Sequence, residues 1–169
     1  MPEKPTVRTV LPSEWEVYKS LRLRALADSP DAFSSTLAAE LERPDEQWDE
    51  RVARASATGQ DFPLFALVGN APVGMAWASA TASGESTVSL FQMWVDPKHR
   101  GLGLGGSLLD AAISWARSVR ARELRLCVTC GETPAARMYL HAGFQPVGKP
   151  EPLREGSLLQ AQHMRLSLR

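Results

Sequence analysis

The chain has 169 residues, 44% hydrophobic and 22% charged, and its 19 Lys and Arg balance 19 Asp and Glu. This composition suits one folded domain over residues 1–169 with a real core and excludes disorder. Zero net charge gives no general attraction for nucleic acid or anionic lipid, no apolar run is long enough to span a bilayer, and MPEKPTVRTV lacks a leader's apolar core, so a cytoplasmic protein with neither nucleic-acid nor membrane partners is expected.

Residues Thr6 to Val10 alternate like a short strand, and SEWE, Ser13 to Glu16, has the form of a capping box. It predicts a helix with Trp15, Tyr18, Leu21 and Leu26 on a broad apolar face, interrupted by ADSPDAFSS. After a second short helical piece, Pro44 stands near the start of a third helix, where Asp45 and Glu46 complement the dipole. FPLFALVGNAPVGMAWASA reads as two strands joined by a tight turn at Gly69 and Asn70. A further strand runs from about Thr87 to Val95 and stops at Asp96 and Pro97.

Gly101, Gly103, Gly105 and Gly106 come next. From Leu104 onward, Leu108, Leu109, Ala112, Ile113, Ala116 and Val119 recur at three- and four-residue steps, which predicts a helix with one buried face. LRLCVT is a strand, with Cys127 expected in its core and Cys130 in the loop beyond. This CxxC lacks a second ligand pair, and His99, His141 and His163 stand singly, so no metal site is expected. Thr133 and Pro134 open a short helix through Met138 and Tyr139, ended by Gly143 before the strand FQPVG. LLQAQHMRLSL alternates as the last strand. The succession predicts an α/β protein with one mixed sheet and helices on its faces.

A glycine cluster that opens a helix offers backbone N–H groups and a positive dipole end to phosphate. A Walker loop fails here, because Ser107 stands where its lysine must be. Gly101, Gly103 and Gly106 spell a dinucleotide GxGxxG, with Glu123 near the distance of a ribose-binding acid. Against that reading, DPKHR separates strand from turn and the remaining chain is too short for a doubly wound domain. With the arginine included, Arg100, Gly103 and Gly105 form RxxGxG after a strand.

Together with ARMYLHAGF, Ala136 to Phe144, this pattern resembles the GNAT superfamily of acetyl-CoA-dependent N-acetyltransferases, over roughly Leu64 to Phe144. The resemblance implies a single-domain fold whose central sheet is twisted, mostly antiparallel and splayed at the cofactor site, with helices on both faces. It implies acetyl-CoA as acetyl donor, its pyrophosphate held by Arg100, Gly101, Leu102, Gly103, Leu104, Gly105, Gly106 and Ser107. Backbone groups of Met93 and Val95 would meet the pantetheine arm and thioester, with Trp94 facing the other way. For Arg100 the competing reading is a solvated loop arginine, and Lys98 and His99 are expected in solvent.

Tyr139 matches the family's general acid, against a plain core tyrosine under the Gly143–Phe144 turn. Leu90, Phe91 and Gln92 occupy the stretch where many relatives carry an acidic base, which leaves a water chain, or Glu40 or Glu42, both otherwise solvated helix acids. Glu132 stands where relatives often have an asparagine that bonds the cofactor, and a carboxylate there repels pyrophosphate. The acceptor pocket is expected beside the first helices, with Phe33, Gln92 and Trp94 as substrate residues and Asp28, Asp31, Trp48, Phe62 and Trp77 as further candidates. The expected reaction is acetylation of a primary amine of a small molecule or peptide. Alternatives are a catalytically weak acyl-CoA-binding sensor or assembly module of the same fold, and a nucleotide-binding oxidoreductase fragment. Homodimers are common in the family.

Overall fold

The computed structural model describes residues 4–81 and 86–169. The reading of MPEKPTVRTV as leaderless rests partly on residues 1–3, outside the described residues. Strand β1 (Pro5–Thr9) leads into helices α1 (Trp15–Asp28), α2 (Leu37–Leu41) and α3 (Asp45–Thr58). Strands β2 (Asp61–Val68), β3 (Ala71–Ala80) and β4 (Thr87–Val95) follow, then α4 (Leu104–Ser118), β5 (Glu123–Thr129) and α5 (Pro134–His141). Two short strands, β6 (Gln145–Pro146) and β7 (Glu151–Pro152), precede β8 (Gln160–Ser167).

Local chemistry accounts for most of these boundaries. Thr36 and Thr133 cap α2 and α5 by accepting from the N–H groups of Ala39 and Ala136. The SEWE expectation is corrected: a 3-10 turn spans Pro12–Glu14, Ser13 makes no cap, and Glu14 accepts from the Leu11 N–H at 2.9 Å. Glu14 is held in that position by both terminal nitrogens of Arg8, at 2.7 and 2.8 Å. β7 has no signal in the sequence, because two residues carry no alternation to read.

The strands form one sheet in the order β1-β2-β3-β4-β5-β8-β6, with β7 also pairing with β8. Neighbours run antiparallel except β4 and β5, which are parallel. That parallel register covers Thr87, Val88 and Ser89 against Glu123, Leu124 and Arg125 and then stops, so the rest of β4 leaves its partner. On its other edge β4 carries a bulge: Phe91 pairs with Trp77 and Trp94 with Met75, so Gln92 and Met93 both stand opposite Ala76. Gln92 takes a positive φ of 60° to make it.

Each face of the sheet carries its own core. On one, Leu104, Leu108, Leu109 and Ala112 of α4 and Tyr139 of α5 pack on Leu64, Val88, Leu90 and Leu124. On the other, Tyr18, Trp48 and Val52 from α1 and α3 pack on Phe65, Trp77 and Trp94. Full burial of a side chain such as Leu108 or Phe65 stabilises by about 1.5–3 kcal/mol, which holds β4 firmly between two helical layers. Among the described residues no helix is long and apolar enough to cross a membrane.

Candidate active site

The bulge decides which β4 side chains face which layer. Strict alternation would send Gln92 to the α4 side, but the extra residue keeps Phe91 and Gln92 together on the side of α1 to α3. Met93 and Val95 then pack with the α4 core and Trp94 with the opposite one, the alternation expected from the sequence.

Beyond β4, a 3-10 turn at Pro97–His99 leads into the glycine loop. Gly101 and Gly103 adopt φ of 84° and 79°, left-handed conformations that side chains with a Cβ resist. Gly103 is the N-cap of α4 and, among the described residues, no side chain caps that helix, so its first N–H groups, unlike those of α2 and α5, are left for an outside acceptor. A Cβ at Gly106 would meet nothing within 4 Å, so the loop surface is clear of side chains there. Ser107 is occupied within the helix, with N and Oγ both donating to the Gly103 carbonyl at 3.0 and 3.1 Å. Leu104 is buried in the core, which leaves only its backbone to the loop surface, whereas Leu102 is exposed. Uncapped donors, a positive dipole end and a bare glycine surface fit a pyrophosphate.

Arg100 is neither a free loop cation nor aimed wholly at the loop. Its Nε donates to the Val95 carbonyl at 2.9 Å and its Nη2 to Asp28 Oδ2 at 2.9 Å. The same carboxylate oxygen accepts from Trp94 Nε1 at 3.0 Å and from the Ser29 hydroxyl at 2.7 Å. Ser29 and Trp94, followed by Arg100, hold the Asp28 carboxyl below the usual carboxylate range. Alongside, Arg24 bonds Asp96, which also caps the turn by accepting from the Lys98 N–H at 2.9 Å. The end of α1 is thus latched to the end of β4. Lys98 is exposed, whereas His99 is only partly so, with Nδ1 buried 4.0 Å from Asp96 Oδ1.

Tyr139 is buried on the α4 side with its ring edge-on to Phe144, 5.7 Å between centroids. Burial pushes its phenol well above the usual value. It therefore stays protonated at neutral pH as a donor. α5 also touches the glycine loop directly, since a Cβ on Gly105 would lie 3.4 Å from Met138 Sδ. Glu132 is exposed in the loop before α5.

Across the sheet, a cleft of roughly 630 Å³ opens between α1, α3 and β4, lined by Arg22, Glu40, Arg51, Trp77, Phe91 and Gln92 among others. Phe91 is 53% exposed there. Gln92 Oε1 accepts from the Tyr18 hydroxyl at 2.6 Å, which leaves the amide nitrogen to donate into the cleft. Arg22 and Arg51 carry no signal in the sequence, because nothing local distinguishes them from other helix arginines.

Several expectations are corrected here. Phe33 and Trp94 do not line the cleft: Phe33 is buried beneath the Arg22 guanidinium, and the Trp94 indole is bonded to Asp28. Phe62 lies on the opposite face, stacked on Trp115, and Trp48 is fully buried core. Glu40 is no solvated acid but is buried, with Arg43 at 3.0 Å and Arg51 at 3.9 Å, while Glu42 is exposed as expected. Cys127 is exposed, because Leu124 and Leu126 take the inward positions of β5. Glu123 begins β5 beside Thr87, at the end of the sheet away from the glycine loop, and bonds Arg125 at 2.8 Å, so it cannot act as a ribose acid for that loop.

Known proteins agree with this architecture. Residues 23–144 match the family model for the acetyltransferase (GNAT) family. Mycothiol acetyltransferases of Acidothermus cellulolyticus and Thermobispora bispora are 29% and 31% identical over 88% and 85% of the chain. The match takes in 47% and 48% of their sequences, so the chain spans about half the length of the curated relatives it matches. In fold, it resembles a Salmonella typhimurium protein, yncA, solved with its cofactor acetyl-CoA: TM-score 0.81, 18% identity, 98% of this chain and 95% of that one. With the glycine loop at the head of α4, the bulged and splayed β4 and the matching family model all in view, the chain belongs to the acetyltransferase (GNAT) family.

Proposed function

We propose that this protein transfers the acetyl group of acetyl-CoA to a primary amine of a small molecule or peptide. The observation that carries this reading is the uncapped N-terminus of α4 behind left-handed Gly101 and Gly103, set beside the point where β4 leaves β5. Acetyl-CoA, when bound, supplies the activated acyl carbon. The backbone N–H groups of the first turn of α4 would hold its pyrophosphate, and backbone of Met93 and Val95, beyond the point where β4 leaves β5, would orient the arm and thioester. Arg100 contributes mainly by bracing the loop through Asp28 and the Val95 carbonyl, with its remaining N–H groups free to face phosphate.

In the reaction a nitrogen–carbon bond forms as the carbon–sulfur bond breaks, the amine loses a proton to water, and Tyr139 gives its proton to the departing thiolate. Water then restores the Tyr139 proton. The amine approaches from the α1 to α3 side, past Phe91 and Gln92. Free, exposed Cys127 and Cys130 suit a reducing cytoplasm as the setting.

Calorimetric titration with acetyl-CoA and with NAD, followed by thiol release over a panel of amines, tests the reading. Acetyl-CoA binding with amine-dependent thiol release is expected. Binding of NAD alone overturns the donor assignment, and acetyl-CoA binding with no thiol release from any amine favours the non-catalytic sensor.

A further inference from the structure

The acceptor cleft holds an unpaired cation. Arg22 is only 4% exposed, yet its Nε and Nη1 are buried and without a hydrogen-bond partner among the described residues. Its guanidinium carbon lies over the Phe33 ring, 4.6 Å from the centroid, a contact that satisfies no N–H. Burial correspondingly pushes the group below its ordinary value.

The acids around it are already engaged. Glu40 is bonded by Arg43 at 3.0 and 3.3 Å and approached by Arg51, Glu50 is taken by Arg54 at 3.2 Å, and Asp61 accepts from Trp77 Nε1 at 3.0 Å. Glu40 acts on Arg22 through its charge but gives it no hydrogen bond, so Arg22 Nε and Nη1 remain donors without an acceptor among the described residues. Tyr18 marks how the donors converge: its hydroxyl bonds Gln92, and the charges of Arg51 and Arg22 both act on it. A buried guanidinium whose N–H groups have no acceptor is among the costlier arrangements in a protein interior, and an oxyanion is what relieves it. Arginine forks meet carboxylate and phosphate in two parallel hydrogen bonds, which fixes orientation as well as affinity.

The geometry points to an oxyanion subsite in the acceptor cleft, made by Arg22 and Arg51, so that the amine acetylated here carries an anionic group of its own, a carboxylate or a phosphate. This rests on the acetyltransferase reading above and narrows its substrate class. Gln92, bridging Tyr18 to the bulge of β4, stands between that subsite and the strand where the thioester is held. Polyamines and other purely cationic acceptors are disfavoured by the same guanidinium.

The test compares matched acceptors on the wild-type protein: α-amino acids against their amides, ethanolamine phosphate against ethanolamine, and spermidine as a cationic control. One of the anionic acceptors is expected to exceed its neutral partner in kcat/KM by roughly 10–100-fold, mainly through KM, and the arm that responds identifies carboxylate or phosphate. Arg22→Gln is expected to collapse that ratio toward one, and Arg22→Lys to restore part of it. Because a core change at Arg22 can impair folding, the half-buried Arg51→Gln is the second variant, expected to reduce the ratio several-fold. Neutral or cationic amines used as well as the anionic ones, or no anionic amine acetylated while acetyl-CoA binds, overturns the subsite and leaves the donor assignment standing. Failure to bind acetyl-CoA overturns the function itself.

Discussion

The two sides of β4 offer different materials for recognition. On the α4 side the proposed grip is backbone: left-handed glycines, an uncapped helix start and a strand edge, with side chains kept away. On the α1 to α3 side it is side chain: Arg22, Arg51, Tyr18 and Gln92, drawn from two helices and a strand. A donor shared by a whole family can be held by groups every residue owns, whereas acceptor choice needs side-chain chemistry that differs between members. The contrast teaches that the two surfaces should respond to mutation independently, and this can be broken by experiment.

The largest effect is expected at the chemistry. Tyr139→Phe should lower kcat by about 10²-fold or more, the ordinary scale for a lost general acid, with little change in acetyl-CoA affinity. Steady-state and calorimetric measurements check this, and unchanged turnover removes Tyr139 from the mechanism. On the donor surface, Gly103→Val forces a branched side chain into a left-handed N-cap, strain of about 1–3 kcal/mol. Acetyl-CoA binding should weaken by roughly 10–100-fold while anionic-acceptor preference persists. Loss of both together would show that the surfaces are not separable.

Smaller effects follow at the latch joining the two sides. Asp28→Ala leaves Trp94 Nε1 and Arg100 Nη2 without their acceptor, and should cost about 1–2 kcal/mol of stability, read as a lowered denaturation midpoint. Because bonding by Ser29, Trp94 and Arg100 lowers the folded pKa of Asp28, its contribution is complete above the unfolded carboxylate value and is lost as pH falls through the folded one. Acid titration of stability should therefore be shallower in Asp28→Ala. The smallest effect is at Tyr139: its raised phenol pKa should give no alkaline fall in kcat near pH 10, the ordinary phenol value.

How much was legible follows the same division. Helix α4, the hairpin turn at Gly69 and Asn70 and the caps at Thr36 and Thr133 rest on short-range chemistry; the turn, α4 and Thr133 could be read directly. Cys127 is expected in the core by its apolar character alone, whereas the alternation of LRLCVT already puts it on the outward side with Arg125, and Leu124 and Leu126 face the core. Phe33 and Trp94 have the aromatic character of pocket residues, and only packing shows that Phe33 lies beneath Arg22 and that Trp94 belongs to the Asp28 latch.

The sequence by itself determined the order of elements, the glycine loop at the head of a helix and the family to which these belong, since each depends on neighbours within a few positions. Tertiary structure alone decided the bulge at Gln92, the latch of Asp28 to Trp94 and Arg100, and the isolation of Arg22. The physical reason is that pairing, desolvation and counter-charge are properties of groups far apart in the chain: an arginine becomes an anion receptor only when folding buries it among acids already engaged elsewhere.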